Sequence, residues 1–136
     1  MKGVFVDTDI VLDLLGNRKP FYRHAAELFS IADRSEIKIF VSSLSFSNLN
    51  YILSKQYSSI QARKILMKFK TLVTVLSVSD KVVELALLSD FKDFEVALQY
   101  FTALENDVNI LLTRNLKDYK TAEIPIMTAE QFLKSR

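Results

Sequence analysis

The sequence contains no cysteine and only one histidine, His24. These shortages exclude a disulfide framework, a thiolate zinc site, a cysteine nucleophile and any mechanism that needs two imidazoles. A metal ion bound by this chain would have to be held by oxygen atoms. That requirement favours magnesium or manganese over zinc.

Glycine and proline are also scarce, with two of each in the chain. The connections between elements are therefore expected to be short and built from polar residues. No run reaches the roughly 18 apolar residues of a membrane span. The first apolar run is too short for the core of a signal peptide. We therefore expect a cytoplasmic protein without a membrane segment.

The length and composition of the chain fit one domain over residues 1–136. Hydrophobic residues make up 49% of the chain and charged residues 25%, which is ordinary for a folded domain. The formal net charge is +2. This mild excess of positive charge permits a phosphate-rich partner but does not by itself imply one.

Five apolar runs rich in β-favouring residues predict five strands. They are Gly3–Val6, Lys38–Val41, Val73–Val78, Asn109–Leu112 and Ile124–Met127. None alternates cleanly between apolar and polar residues, which is typical of strands buried on both faces of a parallel sheet.

Helical patterns separate the five runs. They cover residues 21–35, 43–55, 59–72, 79–88 and 94–104, and a last helix, Ala129–Leu133, follows a Thr128 cap. Alternating strands and helices predict an α/β fold, a three-layer α/β/α sandwich around a mostly parallel sheet of about five strands. Helix pairs are expected in two of the crossovers.

Polar side chains cluster where the predicted strands end. They are Asp7, Thr8 and Asp9; Ser42, Ser43 and, one turn on, Asn48; Asp90 and Asp93; and Thr113, Arg114, Asn115 and Asp118. Open parallel sheets bind ligands beyond the carboxyl ends of their strands. Several oxygen donors at one such edge could form a magnesium site.

Asp7 alone has two interpretations. A carboxylate directly after a buried strand costs desolvation energy unless it caps a helix, forms a pair or binds a cation. Capping of a helix that starts near Asp9 is the simpler interpretation of one isolated aspartate. The further acids and the Thr113-Arg114-Asn115 turn favour a cation site.

Four motifs, in this order along the chain, resemble those of PIN domains. They are Val4-Phe5-Val6-Asp7-Thr8-Asp9, Val41-Ser42-Ser43-Leu44-Ser45, Asp93-Phe94-Glu95-Val96-Ala97-Leu98-Gln99-Tyr100 and Leu112-Thr113-Arg114-Asn115-Leu116-Lys117-Asp118-Tyr119. The closing segment 124–133 also resembles the last strand and helix of the bacterial group that includes toxins of type II toxin–antitoxin pairs.

The resemblance implies a metal-dependent ribonuclease in which acids hold one or two Mg²⁺ or Mn²⁺ ions. The ions would activate water and neutralise the charge that builds on the phosphate. RNA is the implied substrate, and an antitoxin protein and a second copy of the chain are the implied partners.

Carried over position by position, the family's first acid falls on Asp7 and its second, normally a glutamate, on Asn48. The family's D-x-x-D pattern here begins at Asp93 and ends at Val96. The last motif places Asn115. The resemblance therefore implies Asp7 and Asp93 as catalytic residues, with Asn115 as a third metal ligand.

Other residues of the same motifs are given supporting roles. The supporting residues are Asp9, Asn48, Glu95, Thr113 and Asp118. Arg114 and Lys117 lie next to the implied site in sequence and are predicted to contact RNA phosphates.

Two departures from the family pattern open an alternative. Asn48 offers a carbonyl oxygen but no charge, and Val96 offers no ligand. Ligand charge sets the affinity for a divalent cation, so both changes weaken the implied site unless Asp93 or Glu95 compensates. The alternative is a catalytically impaired PIN-type module that binds RNA or a protein.

Two other α/β families share part of the pattern. The segment Asp7-Thr8-Asp9-Ile10-Val11 also fits the opening motif of haloacid-dehalogenase-like phosphatases. Their glycine-rich acidic loop has no counterpart, because the only glycines are Gly3 and Gly16. A receiver domain also carries early acids, but the doubled helices in the crossovers argue against it.

Overall fold

The structure, a computed structural model, describes all 136 residues. Its single sheet contains β1 (Lys2–Val6), β2 (Ile37–Ser42), β3 (Thr74–Leu76), β4 (Leu111–Leu112) and β5 (Ile126–Met127). The strand order is β3-β2-β1-β4-β5, and every pairing is parallel. The predicted mostly parallel sheet of about five strands is confirmed.

Seven α-helices cover the sheet. They are α1 (Thr8–Leu15), α2 (Tyr22–Asp33), α3 (Ser43–Gln56), α4 (Ser59–Lys70), α5 (Asp80–Leu88), α6 (Phe94–Glu105) and α7 (Ala129–Lys134). A short 3₁₀ helix, Leu116–Tyr119, follows β4. None of these helices is long and apolar enough to span a lipid bilayer.

Helix pairs occupy three crossovers, not the two predicted. The pairs are α1 with α2, α3 with α4, and α5 with α6. The prediction missed the first pair because α1 is only eight residues long, so the sequence marked its start near Asp9 but no full pattern.

Three strands, β3, β4 and β5, are shorter than their apolar runs. The run Val73–Val78 predicted six strand residues, and only Thr74–Leu76 pairs with β2. Likewise β4 and β5 pair over two residues each. β-favouring side chains extend a predicted strand, whereas the observed strand ends where its neighbour stops supplying hydrogen bonds.

The core lies on both faces of β1. Val4 and Val6 belong to a cluster with α1, α2, α3, α4 and α7, whereas Phe5 packs with residues of α6 such as Val96 and Tyr100. Val4, Phe5 and Val6 are all fully buried. Helices therefore cover both faces of the central strand, which confirms the three-layer sandwich and explains why its residues do not alternate in polarity.

The strand order places a topological switch point at β1. The chain continues from β1 to β2 on one side, and β4 returns to the other side of β1. A crevice opens at the carboxyl ends of strands where the order reverses in this way. The residues that follow β1 and β4 therefore meet at this edge.

Candidate active site

Asp7 is the first residue after β1 and lies at the centre of this edge. Its Oδ1 accepts hydrogen bonds from the Thr8 N–H at 2.8 Å and Gln99 Nε2 at 3.3 Å. Its Oδ2 accepts from Thr113 Oγ1 and Tyr119 Oη, both at 3.0 Å. Asp7 is also the N-cap of α1. The two interpretations offered by the sequence are therefore compatible, because the capping residue also faces the crevice.

Asp9 occupies the first turn of α1 and accepts hydrogen bonds from the segment that follows β4. Its Oδ2 accepts from the Arg114 N–H at 2.9 Å, from Asn115 Nδ2 at 3.2 Å and from Thr113 Oγ1 at 3.3 Å. Its Oδ1 accepts from the Ile10 N–H at 2.7 Å. Asp9 therefore fixes the turn after β4 against α1.

Burial, followed by the negative charge of Asp7, raises the pKa of Asp9 from 3.8 to about 6. A carboxyl group whose pKa is higher in the folded state stabilises the fold below its unfolded pKa, and this contribution is lost as the pH rises through the folded pKa.

We therefore compare the free energy of unfolding of the wild-type protein with that of Asp9→Asn, both in EDTA. Between pH 4 and pH 7 the wild type should lose roughly 1–3 kcal/mol more than the variant does. Urea denaturation of both proteins at several pH values measures this difference. A difference that does not change with pH would contradict the raised pKa.

The opposite wall of the crevice comes from α3 and α6. Asn48 Nδ2 donates a hydrogen bond to Glu95 Oε1. Asp93 is the N-cap of α6, with Oδ1 accepting from the Val96 N–H at 3.2 Å. Burial, then the charges of Asp93 and Asp7, raises the pKa of Glu95. Two further carboxylates therefore lie within electrostatic reach of Asp7.

These walls enclose a cleft of about 510 Å³. Its lining includes seven residues that the sequence placed at the site: Asp7, Asp9, Asn48, Asp93, Glu95, Asn115 and Asp118. Thr113 is fully buried and donates to both Asp7 and Asp9. The structure thus brings the predicted acids and amides to one place.

The structure gives Arg114 a partner that the sequence did not indicate. Its guanidinium donates to both carboxylate oxygens of Asp13, at 2.8 and 3.1 Å, and lies 4.0 Å from the ring centroid of Phe21. Asp13 is 2% exposed and needs a cation to offset its desolvation. The guanidinium of Arg114 is thus already paired with Asp13, while the RNA contacts of Arg114 and Lys117 stay predictions.

Sequence reasoning gave no role to several residues around the acids. They are Asp13, Ser45, Tyr51, Gln99 and Tyr119. Asp13 and Gln99 carried a usable signal, since each is a polar residue on an otherwise apolar stretch of helix. Tyr119 and Ser45 lie within the quoted motifs, but those motifs do not show that Tyr119 contacts Asp7 or that Ser45 contacts Gln99.

The oxygen atoms that line the cleft could bind Mg²⁺ or Mn²⁺ through a small number of protein ligands. No three acidic or imidazole side chains form one compact metal-binding group. Mg²⁺ commonly binds through one or two carboxylates and keeps several waters. Asp7 with Asp93 or Glu95 would provide these. Asn48 and Asn115 direct their amide nitrogens at carboxylates, so their Oδ1 atoms are free to act as further metal ligands.

A match to a family sequence profile identifies the family of this chain. The profile described as PIN domain matches residues 3–117, most of the chain. The chain belongs to the PIN domain family. The resemblance seen in the motifs is thereby confirmed, and the dehalogenase-like and receiver alternatives are set aside.

Relatives of this PIN domain agree in length and fold. Ribonuclease VapC1 of Aquifex aeolicus (strain VF5) is 27% identical over 137 residues, covering 95% of this chain and 92% of the relative. The structure of VapBC2 from Rickettsia felis, bound to a promoter DNA fragment, matches with a TM-score of 0.67 and 19% identity over 92% of this chain and 96% of that one.

A third relative carries a functional description of its own. VapC20 of Mycobacterium tuberculosis, described as a sarcin–ricin loop cleaving toxin, matches this PIN domain with a TM-score of 0.64 and 16% identity. The match covers 79% of this chain and 86% of VapC20. At such identities, the two structural matches show the shared fold.

Proposed function

We propose that this PIN domain is a cytoplasmic, divalent-metal-dependent ribonuclease that hydrolyses phosphodiester bonds of RNA. The observation that carries the proposal is the acidic cleft at the switch point of the sheet, which Asp7, Asp93, Glu95 and Asn115 line. The comparisons support it, since one relative is described as a ribonuclease and a structural match as a sarcin–ricin loop cleaving toxin.

In this proposal Asp7, Asp93 and Asn115 hold Mg²⁺ or Mn²⁺. The bound ion would supply an activated water and neutralise charge on the phosphate. Four donors hold the Asp7 carboxylate, so it is oriented before the ion arrives. Asp93 is fixed at the start of α6 by its bond to the Val96 N–H.

Supporting residues keep these ligands in position. Thr113 joins Asp7 to Asp9, and Asp9 in turn fixes the turn that carries Asn115. On the other wall Asn48 holds Glu95. Asp118 lines the same cleft and adds negative charge at its edge.

Two features near the cleft suit single-stranded RNA. Tyr51 lines the cleft and is 63% exposed, so its ring is accessible for stacking of a base. A neighbouring groove of about 310 Å³ shares Asp93 and Asp118 with the cleft and adds Lys117 and two other lysines. These lysines are positioned to contact backbone phosphates beside the acids.

Assembly with other chains is part of the same proposal. The Rickettsia felis relative was solved as VapBC2, and VapC20 is described as a toxin. We accordingly propose that this chain is the toxin of a type II pair, with an antitoxin protein and a second copy of itself as partners.

Incubation of the purified protein with mixed single-stranded RNA tests the proposal. We expect cleavage in Mn²⁺ and in Mg²⁺, and none in EDTA. Fragments should be resolved on a denaturing gel and followed over time. Folded protein that leaves RNA intact at high manganese concentration would overturn the proposed activity.

A second candidate function is a PIN module with impaired catalysis that binds RNA or a protein. Two observations favour it: Asn48 carries no charge, and Val96 lines the cleft where the family pattern has an acid. This candidate would bind RNA in Mn²⁺ without cleaving it, which a gel-shift assay beside the cleavage assay detects.

Restoring the missing acid should strengthen the site. We expect Val96→Asp to bind Mn²⁺ about tenfold more tightly, a gain of about 1.4 kcal/mol, because it adds a carboxylate to the lining of the cleft. Isothermal titration calorimetry measures the affinity. Val83→Asp adds the same charge at an exposed position of α5 outside the cleft and serves as the matched control. Equal affinities for the two variants would contradict the expected position of the ion.

A further inference from the structure

Gln99 is a buried polar residue at the centre of the structure, 1% exposed. Its Nε2 lies 3.0 Å from Ser45 Oγ, and 3.3 Å from both Asp7 Oδ1 and Thr8 Oγ1. Its Oε1 accepts a hydrogen bond from Ser42 Oγ. Every polar atom of the Gln99 side chain therefore has a partner, and one of these partners is the central carboxylate.

The chemistry of the neighbours fixes the direction of these bonds. An ionised carboxylate only accepts hydrogen bonds, so the amide nitrogen of Gln99 must face Asp7 and its oxygen must face Ser42. The Ser42 hydroxyl then has to donate to Gln99, while its oxygen accepts from the Ser45 N–H at 3.4 Å. A side chain without both a donor and an acceptor could not replace Gln99 in this network.

The network joins segments that are far apart in sequence. Gln99 belongs to α6, Asp7 and Thr8 lie at the junction of β1 and α1, and Ser42 and Ser45 lie at the junction of β2 and α3. Thr8 Oγ1 and Ser45 Oγ also lie 2.8 Å apart. The ends of β1 and β2 are thus held to α6, the helix that Asp93 caps.

We propose that Gln99 is a positioning residue that holds the Asp7 carboxylate in the orientation in which it faces the cleft. The consequence for metal binding rests on the proposed function, whereas the orientation of Asp7 does not. Gln99 acts through Asp7 and is not placed among the metal ligands.

Hydrogen exchange at the backbone N–H of Thr8 reads out this orientation without any metal. This N–H donates to Asp7 Oδ1 at 2.8 Å, so it is protected only while the carboxylate keeps its position. We expect Gln99→Met, similar in size but without donors or acceptors, to exchange at Thr8 at least about tenfold faster. Exchange at the Ile10 N–H, which donates to the Asp9 carboxylate and to the main-chain carbonyl of Asp7 but not to the Asp7 side chain, should stay unchanged.

Thr102→Val is the matched control. Thr102 is fully buried on the same helix, and its hydroxyl donates to the Leu98 carbonyl. This variant changes a buried polar group of α6 but leaves the Asp7 network intact, so Thr8 should exchange as in the wild type. If Gln99→Met does not fold, Gln99→Leu provides the same measurement, since leucine is apolar and close in size and has neither a donor nor an acceptor.

Titration with Mn²⁺ provides the second readout. We expect Gln99→Met to weaken Mn²⁺ binding by about 10–100-fold, the usual effect of removing a group that orients a metal ligand. Thr102→Val should bind as the wild type does.

The two readouts separate failure of the inference from failure of the proposed function. Unchanged exchange at Thr8 in folded Gln99 variants would overturn the positioning role, whatever the metal affinity. If Thr8 exchanges faster in Gln99→Met but the wild-type protein binds no Mn²⁺, the positioning role is supported and the metal-dependent activity is overturned. Wild-type Mn²⁺ affinity in Gln99→Met would overturn the link between the two.

Discussion

Asp7→Asn is expected to reduce metal-dependent RNA cleavage by about 10²–10³-fold, the loss typical of removing one electrostatic contact to the transition state. Asparagine keeps the size of the side chain but removes the charge that the proposed ion needs. Initial rates with a fluorescent single-stranded RNA in Mn²⁺ measure the effect.

A stability measurement must accompany this variant, because both oxygens of Asp7 accept hydrogen bonds. The amide nitrogen of an asparagine would face other donors on one side, at a cost of about 1–3 kcal/mol. Asp33→Asn, at an exposed position of α2, removes the same charge far from the cleft and should cleave as the wild type does. Equal rates for Asp7→Asn and Asp33→Asn, both folded, would show that Asp7 takes no part in the reaction.

Arg114→Met is expected to lower the free energy of unfolding by about 3 kcal/mol at pH 8. This is the lower end of the range for breaking a buried ion pair, because the Arg114 side chain is 28% exposed. The variant removes the only side chain that forms a salt bridge with Asp13, which is 2% exposed, and leaves Arg18 as a more weakly interacting positive charge. Urea denaturation followed by circular dichroism measures the loss.

The pH dependence of this loss, and the variant Asp13→Asn, test whether the buried charge of Asp13 causes it. Burial raises the pKa of Asp13, whereas Arg114 lowers it. Without Arg114 the carboxyl group is more easily protonated, so the loss in Arg114→Met should shrink between pH 8 and pH 5. Asp13→Asn should cost less, because the partly exposed guanidinium of Arg114 can turn to solvent. A larger loss in Asp13→Asn than in Arg114→Met would contradict this asymmetry.

The placement of the acids could be predicted because it follows from strand ends. Asp7 and Thr113 come directly after apolar runs, and parallel strands bring such residues to one edge of the sheet. The resemblance to PIN domains then implied Asn48, in the second turn of α3, and Asp93, the N-cap of α6, as residues of the same site, and both line the cleft. The roles assigned to these residues stay predictions until metal binding and cleavage are measured.

The contacts that hold the acids could not be predicted in the same way. Gln99 and Tyr119 reach Asp7 from positions 92 and 112 residues away, and hydrophobic periodicity does not specify which residues meet across such separations. Arg114 illustrates the consequence. Its position after β4 suggested a phosphate contact, whereas a buried carboxylate on α1 takes its guanidinium.

Diffraction from crystals soaked in Mn²⁺ tests most directly whether the Asp7 cleft is a metal site. The anomalous signal locates the ion without any assumption about activity. The account predicts a peak within about 2.5 Å of an Asp7 carboxylate oxygen, with Asp93 or Glu95 on its other side. No peak in the cleft at high manganese concentration, or a peak only elsewhere on the surface, would contradict it.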